Sequence, residues 1–172
     1  MSTSDTRGEM VAIYDSTGVV VDARPRDVMR AEGLWHASGS VLVRSGDGER
    51  IYVHQRTSDK DIYPGMHDCW AGGVVAAGED PTDCAVRELA EELGVTGVTP
   101  RRLFTSRIEL PPLRLHMFAH EVRWDGPIVH QESEIAGGGW LTLAELVSKL
   151  GDPDWPFVPD GRIGFTMWLR MQ

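Results

Sequence analysis

A glycine-rich stretch at residues 72–78 leads directly into a segment with clear signals for the start and end of a helix. Asp80 is a favoured N-cap residue, Pro81 suits the first helical position, and Gly94 can end the helix. The spacing therefore predicts a helix over 81–93, joined by a short turn to the segment before it.

The predicted helix has two different faces when its residues are placed 100° apart. Val86, Leu89 and Leu93 form an apolar stripe that can face a protein core. Three carboxylates share the other side: Glu88, Glu91 and Glu92. Like charges three and four residues apart repel each other, and a hard divalent cation is a good partner for several oxygen ligands. The face alone fits either a cation site or a solvated acidic surface.

The glycines and acids around this helix stand at fixed offsets. Gly73 is followed after five residues by Glu79 and, after seven more, by Arg87-Glu88-Leu89-Ala90-Glu91-Glu92-Leu93-Gly94-Val95. This spacing matches all nine specified positions of the Nudix box, so the chain resembles the Nudix hydrolases. The resemblance implies an α/β fold, an α/β/α sandwich with a mixed central sheet. It also implies hydrolysis, dependent on Mg²⁺ or Mn²⁺, of a diphosphate linked to another group.

The resemblance assigns roles to the residues of the box. It implies a set of cation ligands: Glu88, Glu91 and Glu92. It also implies that Glu79 supports the site. Because glycine has no side chain, a main-chain carbonyl at Gly73 can approach the same cation. Arg87 can bridge Glu79 and Glu91 through its fork of donors and hold the carboxylates in ligand geometry.

The base that deprotonates the attacking water differs among members of this family. Glu88 and Glu92 are catalytic candidates on the helix, and Glu88 is the first candidate for the base. Glu134 is a third candidate, because it precedes the glycines at 137–139, where a mobile loop could bring an acid over the cation. Glu132 lies in the same loop and could act as the base in the same way. For both loop acids the alternative is an ordinary solvated surface position.

The flanking sequence resembles a Nudix subgroup related to type I isopentenyl-diphosphate isomerase. The matching positions are 33–36, 55–57, Lys60, 63–65 and Asp68. Arg56 and Lys60 correspond to cations that contact the diphosphate in the isomerase, and charge complementarity makes substrate binding a sensible role for them here. His36 corresponds to a metal-binding histidine of the isomerase and is a further candidate for the substrate site.

Three departures from the isomerase pattern favour hydrolysis. Gly72 stands where the isomerase has its reactive cysteine, and Val74 stands where it has a ligand histidine. The acid that would protonate an alkene is therefore missing. Glu88 stands where the isomerase has an arginine. Two alternatives stay open beside a hydrolase of nucleoside diphosphate derivatives or similar organic diphosphates: the isomerase, and a non-catalytic module that senses a nucleotide.

Composition sets the remaining limits. A chain of 172 residues with 41% apolar composition predicts one domain, over 10–172, after a Ser/Thr-rich segment at 1–9 that we expect to be disordered. A net charge of −9 disfavours a nucleic-acid polymer as partner, and no apolar run approaches the roughly 20 residues that cross a bilayer. Two cysteines outside metal or disulfide patterns fit the cytoplasm. The expected partner is a small-molecule diphosphate, and a homodimer stays open.

Patterning also predicts the other elements. We expect hairpins from 10–14 with 19–23 and from 40–44 with 50–56, antiparallel strands at 102–109 and 113–122, and a strand at 68–75. Short helices are expected at 26–31 and after the capping box that starts at Thr142. A last helix is expected near the end of the chain, where Ile163, Met167 and Met171 recur at helical spacing.

Overall fold

The computed structural model describes residues 6–172 of the chain. The strands are β1 (Met10–Tyr14), β2 (Val20–Pro25), β3 (Trp35–Arg44), β4 (Arg50–Arg56), β5 (His67–Asp68), β6 (Trp70–Val74), β7 (Arg101–Leu110), β8 (Leu113–Arg123) and β9 (Ile135–Thr142). The helices are α1 (Arg26–Glu32), α2 (Pro81–Leu93), α3 (Leu143–Leu150) and α4 (Pro159–Leu169).

The long strand β3 organises a mixed sheet. It pairs parallel with β8 and antiparallel with β6, and β8 pairs antiparallel with β7. Strand β4 lies between β5 and β9, with both pairings antiparallel. Strands β3 and β4 pair at Arg44 and Ile51, where their hairpin turns, and this contact joins the two groups of strands. β1 and β2 form a separate hairpin, as predicted.

Apolar side chains from the two faces of this sheet enter two different cores. On β3, Val41 packs in a cluster with α2, and its neighbour Leu42 packs in a cluster with α3 and α4. This alternation follows from the period of two along a strand. Helices therefore cover both faces of a mixed sheet, and the predicted α/β/α sandwich is confirmed.

Helix α2 begins and ends where the sequence predicts. The Asp80 side chain accepts hydrogen bonds from the backbone N–H groups of Thr82 and Asp83, and Gly94 adopts a left-handed conformation with φ 65°. The predicted apolar stripe is wrong at Val86, which is 41% exposed. Ala85 takes the inward position instead. A side chain at Gly39 of β3 would collide with the backbone of α2, so this glycine lets the helix approach the strand closely at Ala85.

Two further predictions need correction. The strand expected over 68–75 is divided, since β5 pairs with β4 whereas β6 pairs with β3. The last helix ends at Leu169, so Met171 lies beyond it and is exposed, whereas Gly164, Phe165 and Trp168 are buried. Gly164 allows α4 to pack against Met117.

The predicted disordered segment at 1–9 lies partly outside the described residues. Within the described part, the backbone carbonyls of Arg7 and Glu9 accept hydrogen bonds from the N–H groups of Asp27 and Arg26 at the start of α1. No helix between residues 6 and 172 is long and apolar enough to cross a membrane.

Candidate active site

A cleft of about 750 Å³ brings together nearly all the predicted site residues. Its lining includes His36, Arg56, Lys60, Gly73, Arg87, Glu88, Glu91, Glu92 and Glu134. Glu79 does not line the cleft but contacts Arg87. Glu132 is exposed and does not contribute to the lining.

The three carboxylates of α2 lie at different depths in the protein. Glu92 is buried, and its Oε2 accepts a hydrogen bond of 3.1 Å from the backbone N–H of Gly72. Glu88 is mostly buried, whereas half of the Glu91 side chain is exposed. A Cβ atom at Gly73 would collide with the Glu88 carboxylate, so glycine at this position lets the acid lie against β6. Gly72 and Gly73 lie within strand β6 rather than in a loop.

Arg87 connects the acids of the box. Its Nε and Nη2 donate to the two carboxylate oxygens of Glu79 at 2.8 and 3.0 Å. Its Nη1 donates to Glu88 at 2.8 Å and to Glu91 at 3.3 Å. Gly78, with φ 76°, makes the turn that brings Glu79 next to the helix. The structure thus contains the bridge from Glu79 to Glu91 that the sequence predicts, with Glu88 added to it.

Burial and mutual repulsion make the inner acids hard to ionise. Burial raises the pKa of Glu88, and the neighbouring Glu91 raises it further while Arg87 opposes the change. Burial also raises the pKa of Glu92, and the charge of Glu88 adds to the effect. The pKa of Glu79 is lowered instead, mainly by its hydrogen bonds from Arg87. A cation beside Glu88 and Glu92 would relieve the cost of two buried like charges.

The three carboxylates of α2 already accept hydrogen bonds from other groups of this protein. Within residues 6–172, no group of three or more His, Cys, Asp or Glu side chains is arranged to hold a metal ion. Glu91 is turned toward Arg87, and the carbonyl oxygen of Gly73 accepts a weak hydrogen bond from the Cys84 thiol at 3.5 Å. The roles of Glu88, Glu91, Glu92 and Gly73 as cation ligands therefore stay predictions.

The cleft also contains the predicted substrate-binding cations. Arg56, at the end of β4, donates two hydrogen bonds to the backbone carbonyl of Ile62, at 3.3 and 2.9 Å. Lys60 forms an ion pair with Glu134, so a predicted substrate cation and a predicted base are partners here. The backbone N–H of Thr57 donates to the Glu134 carbonyl at 3.1 Å, which ties the two loops together.

His36 is buried beside a cluster of arginines that the sequence analysis missed. Burial lowers the pKa of His36 to about 3, so the ring is neutral, and it contacts Nη1 of Arg30 at 3.3 Å. Arg26 and Arg30 both pair with Asp61 and line the cleft. The signal for this cluster was the spacing of Arg26 and Arg30, since residues four apart share one helix face.

The fold and this cleft define a class of protein: an α/β domain in which carboxylates, arginines and a lysine line one shared cleft. The NUDIX domain model matches residues 34–161. The chain therefore belongs to the Nudix family, and the family prediction is confirmed. The subgroup resemblance to type I isopentenyl-diphosphate isomerase stays a prediction.

Similar proteins support this assignment. The chain is 52% identical over 163 residues to the uncharacterized Nudix hydrolase orf19 of Rhodococcus erythropolis, covering 90% of this chain and 88% of that protein. It is 40% identical to the uncharacterized Nudix hydrolase SCO1686 of Streptomyces coelicolor, covering 94% and 87%. The domain and these relatives identify the chain as a Nudix hydrolase.

Solved structures share the fold at lower identity. The crystal structure of DR0079 from Deinococcus radiodurans has a TM-score of 0.74 at 23% identity, covering 90% of this chain and 96% of that one. The NUDIX domain of NrtR from Shewanella oneidensis, solved as a complex with ADP ribose, has a TM-score of 0.63 at 14% identity, covering 80% and 89%.

Proposed function

We propose that this chain hydrolyses, with Mg²⁺ or Mn²⁺, a diphosphate linkage in a nucleoside diphosphate derivative or a similar organic diphosphate. One observation carries the proposal: the buried carboxylates of Glu88 and Glu92 share a cleft with the cations of Arg56 and Lys60. A diphosphate is an anion that binds both divalent cations and guanidinium or ammonium groups. The cleft offers both kinds of partner.

The residues present fit a divalent cation. Glu88 and Glu92 are oxygen donors whose pKa values are raised by burial and by their neighbouring carboxylates, and Gly73 leaves the space beside Glu88 free of a side chain. Glu91 is the third proposed ligand and the carbonyl of Gly73 the fourth. When bound, such a cation neutralises diphosphate charge and lowers the pKa of a water molecule.

The remaining steps belong to the side chains of the protein. Arg56 and Lys60 bind the diphosphate oxygens and orient the phosphorus for attack. Arg87, held by Glu79, keeps Glu88 and Glu91 in place. Glu88 accepts the proton of the attacking water in the first version of the mechanism.

Glu134 is the alternative base. Its Oε2 is paired with Lys60, which leaves the other carboxylate oxygen outside that ion pair. A diphosphate that binds Lys60 would compete with Glu134 for the ammonium group. The two versions therefore differ in which carboxylate is free when the substrate is in place.

A feature of β6 disfavours the isomerase alternative. A Cβ atom at Gly72 would collide with the backbone of Gly39 and Ser40 on the paired strand β3. The position where the isomerase has its reactive cysteine thus has no room for a side chain in this protein. Isopentenyl diphosphate should therefore not be converted to dimethylallyl diphosphate.

A substrate panel tests the proposal. Purified protein would be incubated with ADP-ribose, nucleoside diphosphates and isopentenyl diphosphate, each with Mg²⁺, with Mn²⁺ and with excess chelator. We expect phosphate or nucleoside monophosphate to be released from at least one nucleotide, and the chelator to stop the reaction. A lack of turnover for every compound, beside an active control enzyme, would contradict the proposal. Ligand binding without turnover would favour the nucleotide-sensing alternative.

A further inference from the structure

Two acids in the same cleft have no part in the proposed mechanism. Asp68 ends β5 and is buried, and Asp160 lies in the first turn of α4. Both line the cleft that contains Glu88 and Glu92. We use the name distal subsite for the part of the cleft formed by Tyr63, Asp68, Trp70, Met117, Val158 and Asp160.

One oxygen of the Asp160 carboxylate has no partner within the described part of the protein. Its Oδ1 is buried and has no hydrogen-bond partner among the described residues. Asp68 Oδ1 accepts one hydrogen bond of 3.1 Å, from the backbone N–H of Trp70. A Cβ atom at Gly161 would collide with the Asp68 carboxylate, so glycine next to Asp160 leaves room for the second acid. Burying an acceptor without a donor costs stability, which makes a purely structural role a poor explanation.

Nearby charges do not compensate these two acids. Burial raises the pKa of Asp68 to about 8, with Asp160 adding to the effect, and burial also raises the pKa of Asp160. Arg30 and Arg56 act on Asp160 in the opposite sense, but each has another partner. Arg30 pairs with Asp61, and Arg56 donates to the Ile62 carbonyl. Both acids line the cleft, and Asp160 Oδ1 is an acceptor that a ligand with hydrogen-bond donors can satisfy.

The position of the distal subsite relates it to the diphosphate. Arg56 lines the same cleft and is close enough to act electrostatically on Glu92 and also on Asp68 and Asp160. A substrate whose diphosphate contacts Arg56 would extend its attached group toward Asp68 and Asp160. This step rests on the proposed function.

The walls of the subsite suit a flat group. Trp70, Met117 and Val158 are buried apolar side chains that line the cleft. Tyr63 also lines it and has φ 51°, a left-handed conformation that is uncommon for a tyrosine and recurs at ligand sites. A planar heterocycle can pack against such walls and direct the donors on its edge at carboxylate oxygens. A hydrocarbon tail would leave the acids without partners.

We propose that Asp68 and Asp160 form a specificity subsite that accepts hydrogen bonds from a nucleobase edge with adjacent N–H donors, the chemistry of guanine. The subsite selects such bases over bases with fewer donors and over hydrocarbon groups. Sites that hydrogen-bond a substrate donor discriminate strongly against analogues that lack it, because the buried polar group is then left unpaired.

The test compares GDP with IDP, whose hypoxanthine base lacks the exocyclic amino group of guanine. Wild-type protein, Asp160→Asn, Asp160→Ala and the exposed control Asp154→Asn would be assayed for kcat/KM with Mg²⁺. We expect wild type to prefer GDP roughly tenfold or more, and both Asp160 variants to lose most of that preference. Asp154→Asn should retain the preference. Equal kcat/KM values of wild type for GDP and IDP, or unchanged preference in both Asp160 variants, would overturn the proposal.

Two additional measurements distinguish a binding role of Asp160 from a structural role, and a failure of the subsite from a failure of the proposed hydrolysis. Because Asp160→Ala removes an unsatisfied buried acceptor, its thermal midpoint should equal or exceed that of wild type, and a large decrease would contradict the assignment. Calorimetric binding of GDP and IDP covers the case in which no compound is hydrolysed. Tighter binding of GDP that depends on Asp160 would support the subsite even then, and equal affinities would overturn it.

Discussion

Replacing Arg87 by alanine should destabilise the protein and disorder the acids of α2. Arg87 donates two hydrogen bonds to Glu79 and one to Glu88, and only 17% and 15% of those two side chains is exposed. Each carboxylate left without its charged donor costs roughly 1–3 kcal/mol. Arg87 itself is 34% exposed, so solvent screens part of the effect. We expect Arg87→Ala to lower the free energy of unfolding by about 2–4 kcal/mol.

Urea denaturation followed by circular dichroism, at pH 7 without divalent cations, measures this loss. A double-mutant cycle with Glu79→Gln should give a coupling energy of about 1–2 kcal/mol. The pKa of Glu79 is lowered in the folded state, so its contribution is present above its ordinary value of 4.5 and is lost as the pH falls through the folded-state pKa. The effect of Arg87→Ala should therefore shrink in acid. A loss below about 0.5 kcal/mol at pH 7 would show that Glu79 and Glu88 do not depend on Arg87 for stability.

Three further predictions concern α2 and its neighbour β6. Asp80→Ala removes the N-cap of α2 and should cost about 1 kcal/mol in urea denaturation. Glu92 has a raised pKa because it is buried near Glu88, so its charge is a penalty at neutral pH that disappears as the pH falls. Glu92→Gln should thus equal or exceed wild type in thermal midpoint at pH 8 without metal, and a clearly lower midpoint would argue against that penalty. Gly73→Ala should displace the Glu88 carboxylate and lower turnover roughly tenfold or more, with normal circular dichroism; unchanged turnover would argue against a role for that contact.

The elements with local signals were predictable from the sequence. Helix α2 follows from Asp80 and Gly94, and α3 follows from the capping box at Thr142, which the structure contains in full. The strands of the β7–β8 pair were predicted to within a residue or two because their apolar residues alternate.

Features that depend on packing between distant segments were not predictable. Val86 is exposed because Gly39 allows α2 to approach β3 closely with Ala85 facing the strand. The sequence of the helix alone does not indicate this approach. The division of the strand over 68–75 depends on two different partner strands. The packing of α4 depends on the position of Met117 in β8. The spacing of apolar residues within the helix does not indicate that position.

The candidate site shows the same contrast. The box spacing identified five residues that line the cleft, because they lie close together in the sequence and carry a specific pattern: Gly73, Arg87, Glu88, Glu91 and Glu92. It did not reveal the ion pair of Lys60 with Glu134, whose partners are 74 residues apart. Nor did it reveal Asp160, since a single acid in the first turn of a helix is common and its importance comes from the unpaired Oδ1.

Hydrolysis by this protein, as proposed, requires the acids of α2 to hold a divalent cation. The direct measurement is the Mg²⁺-dependent turnover of the best panel substrate by wild type, Glu92→Gln and Glu49→Gln, an exposed control outside the cleft. We expect Glu92→Gln to lose roughly tenfold or more of the turnover with an unchanged circular dichroism spectrum, and Glu49→Gln to match wild type. Wild-type turnover by a folded Glu92→Gln protein would contradict the claim.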